Sequence, residues 1–421
     1  MARFLHLADI HLGFDRYNSP ERTKDFFFAL ADALQKYAIA EAVDFVIIAG
    51  DLFEHRVIQP AVLNQAQICF QQLQAANIPV LAIEGNHDNT PYGTSTSWLK
   101  YLSQWGLIRL LEPGNLAAGE PLYSPWDETQ NRGGYIDLSC GVRVLGSAWY
   151  GAAAVQAIAQ IADAIPTLPP GPETTVLMFH HGLEGQIARY SGALRYSELL
   201  PLKEAGVNYL ALGHIHKNYS EGGWVFNPGS IEANNVEEGS FRRGVYLVET
   251  TEQGIEATLK QDYQQRQIVR LAVKVKGEES QDEVIAMAQA QVADAIQNGQ
   301  LIPQEQPIVE LQIEGQVGFE RLELDTKELQ KTLQSMSQAL IFLLKYNVEE
   351  RGFDSPLAEE VSRDQIERSA FLDLLAGHRD YKKRTDNLAA ALIELKAKRL
   401  AAQSDDALYQ YLENLLDTAT S

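Results

Sequence analysis

Five short clusters carry the residue types that bind metals or move protons. They are Asp9 and His11 in ADIHLG, Asp51 in GDLF, Asn86, His87 and Asp88 in EGNHD, His180 and His181 in FHHG, and His214 and His216 in LGHIH. Of the nine histidines in the chain, six lie in these clusters, which is concentration rather than scatter. Mixed Asp, His and Asn donors suit manganese, iron or zinc better than calcium. Asp9 and His11 stand two residues apart, as do His214 and His216. In an extended segment such residues face the same way, so each pair can address one site. A lone DxH or HxH says little, whereas the ordered set DxH, GD, GNHD, H and GHxH says a great deal. EGNHD poses the sharpest question, because its histidine is a better ligand on paper than the asparagine before it.

Each cluster follows an apolar run at once. RFLHLA leads to Asp9, DFVIIAG to Asp51, PVLAIEG to Asn86, TTVLMF to His180 and YLALG to His214. Between the first runs lie helical patterns, residues 23–42 and 60–78, the second with Pro60 suited to a first helical turn. Strands alternating with helices predict α/β layering. In open α/β sheets sites form at the carboxyl ends of strands, so the five clusters converge if these strands share a sheet. His6 alternates with Leu5 and Leu7 and reads as structural, and His378 in a basic helical stretch reads as solvated.

After about Gly254 the texture changes. Residues 268–275 read as a strand, 280–297 as a helix with Ser280 and Glu283 at capping-box spacing, and 307–316 as a strand. A helix over 325–336 and a strand over 339–349 complete a small α+β unit, and the chain from about Gly352 reads as helical. There is no internal repeat and no low-complexity tract.

At 421 residues the chain is long enough for two or three domains. With 22% charged and 45% hydrophobic residues it reads as globular. A formal net charge of -21 argues against binding polyanions over the whole surface, though a local basic groove or bound divalent cations can supply the field. Cys69 and Cys140, the only cysteines, cannot build a disulfide framework or a zinc knuckle and read as inert thiols. No apolar run is long enough to span a membrane and the N-terminus does not read as a signal peptide, so a cytoplasmic setting and no membrane partner are expected.

From Arg3 to about Glu249 the ordered motifs resemble the calcineurin-like metallophosphoesterases. Within that superfamily LHLADIHLG, VDFVIIAGDLFEHR, IPVLAIEGNHD, FHHG, LGHIH and NPGS with Glu232 are most similar to the SbcD-type DNA repair nucleases. The resemblance implies a four-layer α/β-sandwich core with a two-metal site, followed by a small α+β capping domain and a helical C-terminal segment. The expected boundaries are 1–253 for the nuclease domain, 254–350 for the capping domain and 351–421 for the helical segment. It implies that Asp9, His11 and His216 hold one divalent ion, that Asn86, His180 and His214 hold a second, and that Asp51 bridges both. Manganese is the expected metal, with an activated hydroxide as nucleophile and the ions clamping the attacking and leaving oxygens.

On this reading His87 is free for catalysis, to protonate the leaving oxygen or to stabilise charge on the phosphoryl oxygens. Asp88 either orients His87 or turns the chain, and His181 serves the substrate or the fold. Some relatives carry a second functional histidine directly after GDLF; here that position is Glu54, with His55 next. His55 is therefore either a catalytic candidate or an exposed loop histidine, and Arg56 either touches phosphate or is solvated.

The α+β unit either selects nucleic acid or serves packing and oligomerisation; Arg266, Arg270, Lys274 and Lys276 are its candidate phosphate contacts. The basic stretch from His378 to Arg399, with Leu388, Leu392 and Leu395 at helical spacing, either docks on an SMC-like (SbcC-like) ATPase or packs on its own domain. The expected function is that of a DNA exonuclease subunit, with endonuclease action also open and DNA, the ATPase and a homodimer as partners. The rivals are a phosphoesterase acting on nucleotides, cyclic nucleotides or phosphoproteins, and a non-catalytic scaffold for the ATPase.

Overall fold

The computed structural model describes residues 1–116, 119–187 and 192–350, and in the tail 367–368, 371–372, 374–375, 384–401, 403–404 and 407–412. Residues 1–350 form one compact unit, and the later described residues belong to a second.

The first unit is built on two six-stranded sheets. The first runs β12 (Gly254–Lys260), β11 (Val245–Thr251), β1 (Arg3–Leu7), β2 (Phe45–Ala49), β3 (Val80–Ile83) and β4 (Arg109–Leu110). The second runs β5 (Tyr135–Leu138), β6 (Val142–Leu145), β7 (Thr174–His180), β8 (Tyr209–Gly213), β10 (Val225–Asn227) and β9 (Tyr219–Glu221). β2 and β3 are buried at every position, as strands covered on both faces must be.

The alternation of side chains along the strands separates three apolar layers. Leu5, Leu7, Val46, Ile48, Val80 and Ala82 pack under the helices Pro20–Leu34 and Pro60–Ala75 through Leu30, Ala33 and Phe70. Their neighbours Phe4, Phe45, Ile47, Leu81 and Ile83 meet Val144, Val176, Met178, Tyr209 and Ala211 of the second sheet. On that sheet's far face Leu177, Phe179, Leu210 and Leu212 pack against Ile158, Ile161, Leu199 and Leu202 of the helices Ala154–Ala164 and Tyr196–Glu204. The result is the expected helix–sheet–sheet–helix sandwich. The five cluster-bearing strands do not share one sheet, however. β1, β2 and β3 lie in one, and β7 and β8 in the other.

β12 pairs antiparallel with β11, so the first sheet reaches Lys260, past the expected boundary at Gly254. The three-stranded unit begins at β13 (Ile268–Lys276) and continues through β14 (Ile308–Val317) and β15 (Ile341–Glu350). Its strands run parallel and are joined by the helices Gln281–Gln297 and Thr326–Ser337, in the expected alternating order. The helices cover one face, where Leu271, Val273, Leu311 and Ile313 meet Val284, Val292 and Leu333. The Ser280–Glu283 capping box is formed in both directions. On the other face Arg270 contacts Glu310 at 3.0 Å and Lys274 approaches Glu314 at 3.8 Å. Arg266 pairs bidentately with Asp25 and donates to the carbonyls of Glu305 and Gln306. Three of the four candidate phosphate contacts therefore face carboxylates, because the neighbouring strand and helix are acidic.

In the second unit the helix Thr385–Leu400 carries Leu392 and Leu395, which line a groove with Leu408 and Leu412. His378 lies outside the described residues. Among the described residues no helix is long and apolar enough to cross a membrane.

Candidate metal centre

The clusters leave their strands through a backbone form that side-chained residues rarely adopt. Asp9 (φ 52°), His11 (φ 52°), Asp51 (φ 55°) and His214 (φ 84°) all occupy the left-handed region. Each such residue costs about 1 kcal/mol or more. The spaced pairs are therefore not aimed by strand alternation; turns aim them. Hydrogen bonds hold the turns: the Ile10 and His11 amides donate to the Asp51 carbonyl at 2.8 and 3.1 Å, and Leu12 donates to Leu52 at 2.9 Å. The His214 amide donates to both Asp9 oxygens at 2.9 Å, which ties the first sheet's loop to the second sheet's.

The seven expected ligands gather at this edge of the sandwich. Asp9, His11 and His216 form one group of converging donor atoms, Asp51, His180 and His214 form another, and His11, Glu54 and His87 converge in a third nearer the surface. The Asn86 oxygen joins the second, 3.1 Å from His180 Nε2 and 2.8 Å from His214 Nδ1. Asp51 Oδ2 stands between the groups, 3.2 Å from His180 Nε2 and 4.0 Å from His11 Nε2.

The hydrogen positions decide what this arrangement can hold. His180 Nδ1 faces the Ala49 carbonyl at 2.8 Å, so it carries the proton and presents a lone pair at Nε2. That lone pair points at the oxygens of Asn86 and Asp51. His216 Nδ1 likewise donates to Glu238 at 3.2 Å, which leaves a lone pair at Nε2. His216 Nε2 then meets His11 Nε2 at 3.1 Å, an approach that needs a proton or a cation between the two nitrogens. Lone pairs facing lone pairs repel unless a cation or an extra proton lies between them. Asp9, His11, Asp51 and His180 are almost fully buried, so this repulsion is poorly screened. The donor set thus fits two divalent cations that share Asp51.

Protons compete for the same place. Burial alone would lower the pKa of His180, but the adjacent Asp51 charge outweighs it and raises it to about 9. For His216 burial is likewise outweighed, by Glu238 with Asp9 and Asp51, and the value rises to about 9. His214 moves down to about 3, through burial and then the His180 charge. Asp51 is held well below the usual carboxylate range: burial would raise it, and the neighbouring histidines overcome that. Because the raised histidines are protonated at neutral pH in the metal-free protein, each entering cation must expel a proton. Metal affinity is expected to climb from pH 7 toward 9 and then level off. Calorimetry in buffers of different ionisation enthalpy checks this: proton release of about one per ion at pH 7 is expected.

The glycines of GD and GNHD are explained by close approach. A Cβ on Gly50 would collide with the His180 ring, and one on Gly85 with the Asp51 carboxylate. Gly85→Ala is expected to displace Asp51 and to lower manganese occupancy, measured by elemental analysis of the purified variant, with the fold retained in circular dichroism.

EGNHD divides its roles. The His87 ring lies at the mouth of the site, 36% exposed, and its Nδ1 donates to the Glu54 carbonyl at 2.7 Å. Asp88 does not orient that ring. Its carboxylate accepts from the backbone amides of Leu52, Phe53 and Gly85 at 3.2, 3.1 and 3.0 Å. It clasps the loop that carries Asp51, and burial followed by the Asp51 charge pushes its pKa up to about 6. His181 is buried, with its ring nitrogens 3.1 and 3.3 Å from the carbonyls of Gly182 and Gly151, so it does not reach the donor groups. His55 is half exposed and contacts Asp15 at 3.1 Å. His55 and the exposed Arg56 line an open cleft with Glu54, Asn86 and His87. His6 is buried against the Tyr209 hydroxyl and the Leu212 carbonyl, in keeping with a structural histidine.

Sequence reasoning missed three residues here. Glu238 accepts from His216 Nδ1 at 3.2 Å, and the Glu54 carboxylate approaches His11 Nδ1 to 2.8 Å without a hydrogen bond. Trp149 lies against three site histidines, with ring centroids 5.6 Å from His180, 5.8 Å from His181 and 5.1 Å from His214. Only Glu54 carried a signal, its place directly after GDLF.

A family model described as calcineurin-like phosphoesterase matches residues 2–218. The chain is 33% identical over 247 residues to the DNA double-strand break repair protein Mre11 of Archaeoglobus fulgidus, across 56% of this chain and 52% of that protein. It is 29% identical over 259 residues to the protein of that name from Saccharolobus solfataricus, across 59% of this chain and 60% of that one. With that of Halobacterium salinarum it shares 40% identity over 114 residues, 27% of this chain and 28% of the relative. The matches to the first two thus span only about half to three fifths of those relatives' length.

Proposed function

Because the chain belongs to the calcineurin-like phosphoesterase family, we propose that it is a two-metal DNA phosphodiester hydrolase, an exonuclease subunit in DNA repair. The observation that carries the reading is the pair of donor groups, Asp9–His11–His216 and Asp51–His180–His214 with Asn86, which meet at one carboxylate. Manganese suits this nitrogen and oxygen set. When bound, the two ions supply positive charge for the phosphate oxygens and an ionised water near neutral pH.

The chain's own residues do the rest. Asp51 spans both groups, as a carboxylate can and a neutral imidazole cannot. Asn86 adds a donor without charge, which preserves the electrophilicity of its ion. His87, fixed through Nδ1 to the Glu54 carbonyl, keeps Nε2 for the leaving oxygen. In its cationic form that nitrogen donates a proton or a hydrogen bond as charge develops. Asp88 keeps Asp51 in place from behind. The cleft lined by His55, Arg56 and His87 gives the phosphodiester its way in.

Similarity to proteins named for double-strand break repair favours DNA among possible phosphodiesters. A net charge of -21 leaves little general attraction for DNA, so an ATPase partner is the expected source of grip. The apolar groove of Leu392, Leu395, Leu408 and Leu412 supports a docking role for the tail. A substrate panel tests the reading. Manganese-dependent degradation of DNA ends, alone or with an SMC-like ATPase, is expected. Hydrolysis of bis-p-nitrophenyl phosphate and cyclic nucleotides with no action on DNA would replace it with a small-molecule phosphodiesterase.

A further inference from the structure

Beside the first donor group lies a contact that hydrogen bonding does not explain. His11 Nδ1, on a fully buried ring, stands 2.8 Å from Glu54 Oε2, yet neither atom has a hydrogen-bond partner. Two buried polar atoms left unpaired side by side are rare in folded proteins. His87 Nδ1 approaches the same carboxylate oxygen to 3.9 Å, and the His87 and His11 rings meet edge to face with centroids 4.9 Å apart. Donor atoms of His11, Glu54 and His87 therefore converge on one point. That point opens on the cleft lined by Glu54, His55, Arg56, Asn86 and His87, so an ion can reach it from solvent.

Two imidazoles and one carboxylate, with a water in the fourth place, are a donor set that zinc accepts. Zinc bonds of about 2.0–2.1 Å in a tetrahedron hold the donors about 3.3 Å apart. The separations of 2.8 and 3.9 Å lie on either side of that spacing. Manganese favours oxygen donors and stands below zinc in affinity for such a set. We propose that His11 Nδ1, Glu54 and His87 form a third cation site, that it takes zinc, and that zinc held there inhibits the hydrolase. This rests on the two-metal reading of the centre.

Inhibition follows from what the ion takes away. With zinc on Nδ1, the His11 proton lies on Nε2, 3.1 Å from His216 Nε2. His216 Nδ1 already donates to Glu238, so its Nε2 accepts that proton. The hydrogen bond then fills the place of the first ion. His87 exchanges its bond to the Glu54 carbonyl for the zinc and no longer serves the leaving oxygen. One ion thus removes a ligand of the first position and the proton donor together.

The site is tested in crystals of the full chain grown with manganese, soaked in zinc and measured at both absorption edges. A zinc peak among His11, Glu54 and His87 is expected, with manganese lost from the Asp9 position. Zinc only at the positions that share Asp51, or zinc nowhere, would overturn the proposal. Manganese peaks at Asp51 in unsoaked crystals report on the two-metal reading separately. In solution, zinc is expected to slow manganese-dependent cleavage about 10²-fold or more, as loss of His87 chemistry requires. Glu54→Gln keeps the carbonyl that holds His87 and removes the charged ligand. Loss of an outer-shell partner already costs a metal about 10- to 100-fold in affinity, so the half-inhibiting zinc concentration is expected to rise at least about tenfold. An unchanged zinc response in a folded Glu54→Gln would overturn the proposal.

Discussion

A His87→Ala variant is expected to cleave phosphodiesters about 10²- to 10⁴-fold more slowly while still holding its metal ions. Two observations lead there. The ring's Nδ1 is committed to the Glu54 carbonyl, and its side chain is 36% exposed at the cleft mouth. Asn86, one residue earlier, supplies the oxygen that His180 and His214 face. Removing the His87 ring thus takes away a proton donor and leaves both donor groups whole. Metal content by elemental analysis and single-turnover cleavage of a DNA end, measured on the same preparation, check the expectation. Loss of an ion together with activity would instead make His87 a ligand, and unchanged cleavage would remove it from the chemistry.

Asp88→Ala is expected to act through stability. The buried carboxylate satisfies three backbone amides, those of Leu52, Phe53 and Gly85. Each buried donor left unpaired costs about 1–3 kcal/mol, so a total of ~3 kcal/mol or more is expected. That is a large part of the stability of an ordinary domain. The freed loop carries Asp51, so metal affinity is expected to fall with it. Denaturant unfolding of the metal-free protein measures the first effect. A variant as stable as the wild type but inactive would return Asp88 to a role at the substrate.

Much of this architecture is legible in the sequence because ligands that follow apolar runs mark strand ends. Asp9, Asp51, Asn86, His180 and His214 each come within three residues of a strand end, and their order along the chain is distinctive. The partition of the strands into two sheets is not legible by the same means. β2 and β7 are both continuous apolar runs, and burial on two faces reads identically whichever sheet holds the strand. Strand pairing separates them: β2 pairs with β1 and β3, and β7 with β6 and β8.

Backbone form is the second blind spot. Asp and His at i and i+2 suggest an extended segment, yet Asp9 and His11 are left-handed and held so by the Gly50 and Asp51 carbonyls. Local propensity cannot announce a turn that a loop about forty residues away enforces. Partners distant in sequence are the third. Glu238 lies 22 residues from His216 in a stretch with no motif, and Asp88 sits beside a catalytic candidate while serving another loop. Arg266, just before a strand with spaced basic residues, looks like a phosphate contact until Asp25, far earlier in the chain, takes its Nε and Nη2.

The most direct test of the centre is anomalous diffraction from crystals soaked in manganese. Two peaks about 3.5–4 Å apart are predicted, both bonded to Asp51, with Asn86 bound to one and His87 to neither. A single peak, or a peak held by His87 in place of Asn86, would contradict the account.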